Sequence, residues 1–253
     1  MDLSQKVVVV TGAAAGIGAA IVELFLQSGA RIIAVDVDPQ LQVETLKLRA
    51  QYPDRVRCII GDVSREETAL QYVKAATTAF GRIDVMINNA GIALVKPIAD
   101  HTPEEWDRVM NVNVKSIYWS ARLVIPEMKK AGGGLFLNTG SILSVVGLPG
   151  QGAYGPSKGA VAQITRQMAI DYAADNIRVN AICPGTVDTP MLHKAAAQSD
   201  DAEQFMDELR SAHPLGRVAA PEEIAQFYRF LASDHARFFT GAVLMIDGGF
   251  TAQ

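Results

Sequence analysis

Seven short apolar runs rich in β-branched residues, separated by longer amphipathic stretches, restrict this chain more than any other feature. They are Val7–Val10, Arg31–Asp36, Val56–Asp62, Val85–Asn88, Leu135–Asn138, Val179–Ile182 and Val243–Ile246. Continuous rather than alternating hydrophobicity marks strands covered on both faces. The stretches between them carry helix signals. Thr102-Pro103-Glu104-Glu105 reads as an N-cap, a proline at the first helical position and an acidic first turn. It opens a helix that runs toward Lys130 until Gly132-Gly133-Gly134 ends it, and Ala220-Pro221-Glu222-Glu223 repeats the device. Repeated strand–helix alternation predicts right-handed βαβ units. The expected architecture is α/β: a single-domain Rossmann fold over residues 1–253, a doubly wound parallel sheet of about seven strands with helices on both faces. Ligands of such sheets sit beyond the carboxyl ends of the strands, so functional residues belong just after each apolar run.

Composition narrows the function. With 253 residues, 49% of them hydrophobic, the chain buries roughly three quarters of its unfolded surface in one core. The net charge of −4 provides no positive field for nucleic acid or anionic lipid. The first ten residues lack the pattern of a signal peptide and no apolar stretch approaches a membrane span, so a cytoplasmic location is expected. The two cysteines, Cys58 and Cys183, read as buried free thiols, and the four scattered histidines form no metal pattern, so no metal is expected. Asp188–Arg210 breaks the alternation with acidic residues interleaved with Met191, Leu192, Phe205, Met206 and Leu209. This segment, taken as 188–214, is expected to be a mobile substrate lid, the alternative being a plain surface helix pair.

After the first run comes Thr11-Gly12-Ala13-Ala14-Ala15-Gly16-Ile17-Gly18, then a helical stretch. Glycines at such a strand-to-helix turn let backbone approach a pyrophosphate, which the helix N-terminus stabilises. The second run ends at Asp36, a carboxylate placed to accept hydrogen bonds from ribose hydroxyls and to repel a 2′-phosphate. No Lys or Arg lies among Ala13–Ala15 or directly after Asp36, so NAD(H) is expected rather than NADP(H). Asp62 and Val63 end the third run as a hydrogen-bonding group and apolar wall for adenine, and Asn89-Ala90-Gly91 ends the fourth beside a ribose. Either also reads as ordinary turn chemistry.

Tyr154 and Lys158 stand four residues apart, on one face of a helix. A phenol beside an ammonium and a cationic nicotinamide is expected to have a lowered pKa and to serve as general acid or base. Ser141, just after the fifth run, is the candidate for binding a substrate oxygen, with Ser144 as competitor. Asn113 is a candidate for holding a water that connects Lys158 to solvent.

Over nearly its whole length the chain resembles the short-chain dehydrogenase/reductase family in its cofactor-first form of roughly 250 residues. The matching positions are Thr11-Gly12-x3-Gly16-x-Gly18, Asp62, Asn89-Ala90-Gly91, Asn113, Ser141, Tyr154-x3-Lys158, Pro184-Gly185 with Thr189, and Asp247-Gly248-Gly249. The resemblance implies that Tyr154 is the general acid/base, that Lys158 binds the nicotinamide ribose, that Ser141 orients the substrate oxygen, and that Asn113 supports a proton relay. Ala15 and Ile17 join the glycine loop, and Pro184, Gly185, Val187 and Thr189 contact the nicotinamide end. The Tyr-x3-Lys spacing sets the chain apart from the enoyl-reductase branch. Family members usually assemble as homotetramers, which implies the same here.

The expected activity is NAD-dependent hydride transfer between nicotinamide and a secondary alcohol or ketone. Ile92, Ala93, Val95, Leu143, Leu148, Gln151, Met191, Leu192 and His193 are the pocket candidates. Most are apolar, with Gln151 and His193 as hydrogen-bonding exceptions, and Gln151 together with the expected cytoplasmic, compact character tilts the substrate toward a polyol, sugar or hydroxy acid. A hydrophobic alicyclic or steroid-like alcohol is the alternative, and an NAD(H)-binding redox sensor without turnover is a third.

Overall fold

A computed structural model describes residues 1–253. Seven strands, β1 (Val7–Thr11), β2 (Arg31–Asp36), β3 (Val56–Ile60), β4 (Val85–Asn88), β5 (Gly134–Thr139), β6 (Ile177–Pro184) and β7 (Val243–Ile246), form one sheet. Its order is β3-β2-β1-β4-β5-β6-β7, and every neighbouring pair is parallel. The order reverses direction between β1 and β4, which opens a crevice beyond their carboxyl ends.

The nine α-helices are α1 (Gly16–Gln27), α2 (Gln40–Gln51), α3 (Glu66–Phe80), α4 (Pro103–Met110), α5 (Ser116–Lys130), α6 (Tyr154–Asp171), α7 (Pro190–Ala196), α8 (Ala202–Ser211) and α9 (Pro221–Ala232). Successive strand residues point to opposite faces, so the continuous run in β1 feeds two cores. Val8 and Val10 pack with Phe25 of α1 and Tyr228 and Leu231 of α9, whereas Val7 and Val9 pack with Tyr72 of α3, Ile125 of α5 and Val161 of α6. The buried Asp84 carboxylate fastens the sheet's lower end, accepting from Val7 N at 2.8 Å and pairing with Arg82.

Three local expectations change. The stretch opened by Thr102 is not one uninterrupted α-helix: α4 and α5 flank a π-helical turn at Asn111–Lys115, which shifts the register of every later side chain. Its first turn does carry a reciprocal cap, with Glu105 N donating to Thr102 Oγ1 and Thr102 N to the Glu105 carboxylate. Cys58 is only half-buried, because β3 is an edge strand, whereas Cys183 in β6 is buried. No helix is long and apolar enough to cross a membrane.

Candidate active site

The carboxyl ends of β1, β4, β5 and β6 border a cleft of about 1260 Å³. At its floor, Gly12 and Gly16 adopt φ of +65° and +55°, a region open to glycine at little cost. A Cβ on Gly12 would lie 2.8 Å from Ala90 Cα, and one on Gly18 would overlap the Gly12 carbonyl, so β1, α1 and the end of β4 meet only because these positions are bare. Gly18 thus serves the close packing behind the loop; Gly12, Ala15, Gly16 and Ile17 line the cleft itself. Helix α1 begins after Ala15, which offers no side-chain cap, and its first turn holds no acidic residue. Its N-terminal N–H groups therefore suit an anion such as a pyrophosphate.

Asp36 lines the cleft at the tip of β2. Its carboxylate accepts from Ala14 N at 2.9 Å and Asp38 N at 3.0 Å, both backbone donors. Further along lie Asp62, Val63, Asn89, Ala90 and Gly91, and opposite them Pro184, Gly185, Val187 and Thr189. The elongated groove joins an anion-binding floor to a carboxylate at one end and small, uncharged walls at the other. These features fit a dinucleotide.

Tyr154 and Lys158 emerge from the start of α6, and Ser141 from the turn after β5; all three line the cleft. Burial pushes the Tyr154 phenol up to about 12, and the Ser141 hydroxyl beside it pulls the other way. The expected lowering is therefore not present in the chain alone: desolvation outweighs its neighbours. Lys158 is 4% exposed and burial pushes it down to about 8. Its Nζ donates to Thr139 O at 2.7 Å and lies 5.4 Å from the centre of the Tyr154 ring. Ser144, the competing serine, instead donates to Lys158 O at 2.8 Å and so braces α6.

Two of the candidates lie outside the cleft lining. Asn113, in the π turn, does not line the cleft, and both N–H bonds of its side chain are engaged within the protein. Its Nδ2 donates to Ile92 O at 2.9 Å and Ser157 Oγ at 3.0 Å, while Oδ1 accepts from Ile92 N at 2.9 Å. The amide fixes the chain after β4 against α6, a positioning role. His193 turns away from the cleft, exposed, with Nε2 2.7 Å from an Asp188 carboxylate oxygen. A nearby carboxylate outcompetes a mostly apolar pocket for the imidazole.

The other pocket candidates, Ile92, Ala93, Val95, Leu143, Leu148, Gln151, Met191 and Leu192, do line the cleft. Ala195, Gln198, Ser199, Phe205 and Leu209 join them from the α7–α8 segment. Thr139 was missed from the sequence, although its place one residue beyond the Leu135–Asn138 run marks it as a strand-end group. So were Glu104, Asp107 and Arg108, which spacing along α4 puts on one face, and Asn111, which opens the π turn that follows.

Residues 12–251 match a family model described as enoyl-(acyl carrier protein) reductase. The chain is 39% identical to a 3-oxoacyl-[acyl-carrier-protein] reductase of Thermotoga maritima, covering 98% of this chain and 99% of that protein. It is 38% identical to a cyclopentanol dehydrogenase of a Comamonas strain, covering 99% of each. Among solved structures, L-sorbose reductase from Gluconobacter frateurii, complexed with NADPH and L-sorbose, superposes with a TM-score of 0.94 at 32% identity, over 100% of this chain and 99% of that one.

Proposed function

The chain belongs to the short-chain dehydrogenase/reductase family, and on that premise we propose that it is an NAD(H)-dependent oxidoreductase of uncharged secondary alcohols and their ketones. The convergence of Tyr154, Ser141 and Lys158 in the glycine-floored cleft carries this reading. The dinucleotide, when bound, supplies the hydride-accepting and hydride-donating ring. In alcohol oxidation the Tyr154 oxygen takes the hydroxyl proton, and in ketone reduction it returns one to the carbonyl oxygen. Ser141 orients that oxygen. Lys158 places a positive charge beside the phenol and favours its anion; desolvation alone holds the phenol protonated at neutral pH. The single helical turn between Tyr154 and Lys158 favours alcohol–ketone chemistry over enoyl reduction, despite the description of the matching family model.

The choice of NAD(H) rests on Asp36. Its carboxylate repels a 2′-phosphate, and no cation pairs with it to offset that repulsion.

For the substrate, no unpaired cation awaits an anion: with Asp36 and Asp62 assigned to the nucleotide end, Glu104 and Asp107 stand against Arg108 and Lys158, and Arg108 shares α4 with both of those carboxylates. With His193 turned outward, the substrate end retains Gln151, Gln198 and Ser199 among Leu143, Leu148, Met191, Leu192, Phe205 and Leu209. That mostly apolar lining favours an alicyclic alcohol, the alternative substrate class, while Gln151, on which the polyol, sugar or hydroxy acid expectation rests, keeps its place in the cleft. The 188–214 segment acts as a lid over this end, and exposed Ile170 on α6 and Phe238 before β7 favour a homotetramer, for which sedimentation is the test.

Incubation with NAD⁺ or NADP⁺ and a panel of cycloalkanols, sugar alcohols and hydroxy acids, followed by nicotinamide absorbance, tests the reading. Fastest turnover is expected with NAD⁺ and a neutral cycloalkanol. Preference for a hydroxy acid overturns the substrate class, preference for NADP⁺ the cofactor choice, and tight NADH binding without turnover on any substrate the assignment as an enzyme.

A further inference from the structure

From the cleft wall into the core, Asn89, Thr139 and Tyr228 form a chain of polar side chains whose direction follows from counting hydrogens. Asn89 Nδ2 donates to Thr11 O and to Gly12 O, each at 3.1 Å, which engages both of its N–H bonds. Its Oδ1 can only accept, and the group facing it is Thr139 Oγ1 at 3.4 Å. The Tyr228 hydroxyl lies 2.6 Å from Thr139 Oγ1 and meets no other partner, so the arrangement that satisfies all three side chains has Tyr228 donate to Thr139 and Thr139 to Asn89. Tyr228 is therefore the terminal donor. It lies on α9, is fully buried, does not line the cleft, and has a phenol pushed up by burial so that its proton is retained.

The chain ends where the nucleotide floor begins. Gly12 occupies the positive-φ turn, and the Thr11 hydroxyl accepts from Asn89 N at 3.0 Å and Ala90 N at 3.1 Å. Thr139 also offers its carbonyl oxygen to Lys158 Nζ, so one residue serves both the floor and the reactive lysine. We propose that Tyr228 is a positioning residue for the cofactor site: its hydroxyl, acting through Thr139 and Asn89, holds the Thr11–Gly12 turn in the shape that receives a dinucleotide. This rests on reading the cleft as a dinucleotide site. A phenylalanine at 228 fills nearly the same space but leaves the Thr139 hydroxyl free to rotate away from Asn89.

The test compares wild type with Tyr228→Phe, Thr139→Val, their combination and Thr139→Ser. Loss of one link is expected to raise the NADH dissociation constant about 3- to 10-fold, the range of one net hydrogen bond. The Tyr228→Phe enzyme keeps kcat at saturating cofactor within about twofold. The double variant is no weaker than the weaker single one, because both break the same chain, and Thr139→Ser stays closer to wild type than Thr139→Val. In ligand-free protein, hydrogen–deuterium exchange over residues 12–18 accelerates in Tyr228→Phe. A melting temperature that falls while exchange there and NADH affinity stay within twofold of wild type reduces Tyr228 to a packing residue and overturns the proposal. If wild type binds neither NADH nor NADPH, the dinucleotide reading fails, and the ligand-free exchange data still decide whether Tyr228 holds the turn. Should Tyr228→Phe not fold, the Thr139→Val and Thr139→Ser pair makes the same comparison.

Discussion

Replacing Lys158 with methionine should stabilise the ligand-free protein near neutral pH while removing most of its activity. Lys158 is 4% exposed and is held at about 8 rather than 10.5 by loss of solvent around its charge. Keeping it charged in the fold at pH 7 therefore costs about 3 kcal/mol relative to the unfolded chain. Methionine has a similar length without the charge, but it strands the Thr139 carbonyl that Nζ occupies at 2.7 Å, a loss of about 1–2 kcal/mol. The balance is a gain of about 1–2 kcal/mol, or roughly 2–8 °C in melting temperature for a chain of this size.

The sign of the pH dependence distinguishes this account from a packing effect. Because the folded-state pKa lies below the unfolded one, the unfolded chain binds more protons between about pH 8 and 10.5. The cost in wild type is thus full below about 8 and fades as pH rises through that window. The advantage of Lys158→Met should vanish or reverse by about pH 10, as read from denaturant midpoints of both proteins at pH 7 and 10. A variant less stable than wild type at pH 7, with a gap that does not change by pH 10, refutes Lys158 as a desolvated cation retained for function.

Three further substitutions probe separate parts of the site. Tyr154→Phe should lower turnover about 10²–10⁴-fold and leave NADH affinity within about twofold, measured by steady-state kinetics and fluorescence titration; undiminished turnover removes Tyr154 from proton transfer. Asn113→Ala deletes the bonds to Ile92 and Ser157 and should destabilise the fold by about 1–3 kcal/mol in denaturant titration; no destabilisation contradicts the bracing role. Asp36→Ala removes the carboxylate opposed to a 2′-phosphate together with its bonds to Ala14 and Asp38. It should weaken NADH and narrow or invert the preference over NADPH, and an unchanged ratio of the two dissociation constants locates discrimination elsewhere.

What was legible in the sequence is what a residue and its near neighbours decide. All seven strands lie where the apolar runs put them, within a few residues at their ends, because strands buried on both faces need unbroken hydrophobicity. The glycine turn and the Tyr154/Lys158 pair were equally local, one set by backbone conformation and the other by helical spacing. What was not legible is which partner a polar side chain takes once folded. His193 pairs with Asp188, close by in sequence, rather than facing the cleft, and the Asn113 amide bonds Ile92, 21 residues away, and Ser157, 44 residues away. No periodicity announces either. Tyr228 shows why most clearly. It stands at helical spacing between Ile224 and Leu231 on the buried face of α9, so hydrophobic patterning places its ring in the core and is right to do so. The destination of its hydroxyl, Thr139 at 89 residues' separation, depends on how α9 lies across the sheet. Amphipathic patterning reports the face that a helix buries, whereas function at this position depends on one polar atom crossing that face, and the two signals are carried by the same residue.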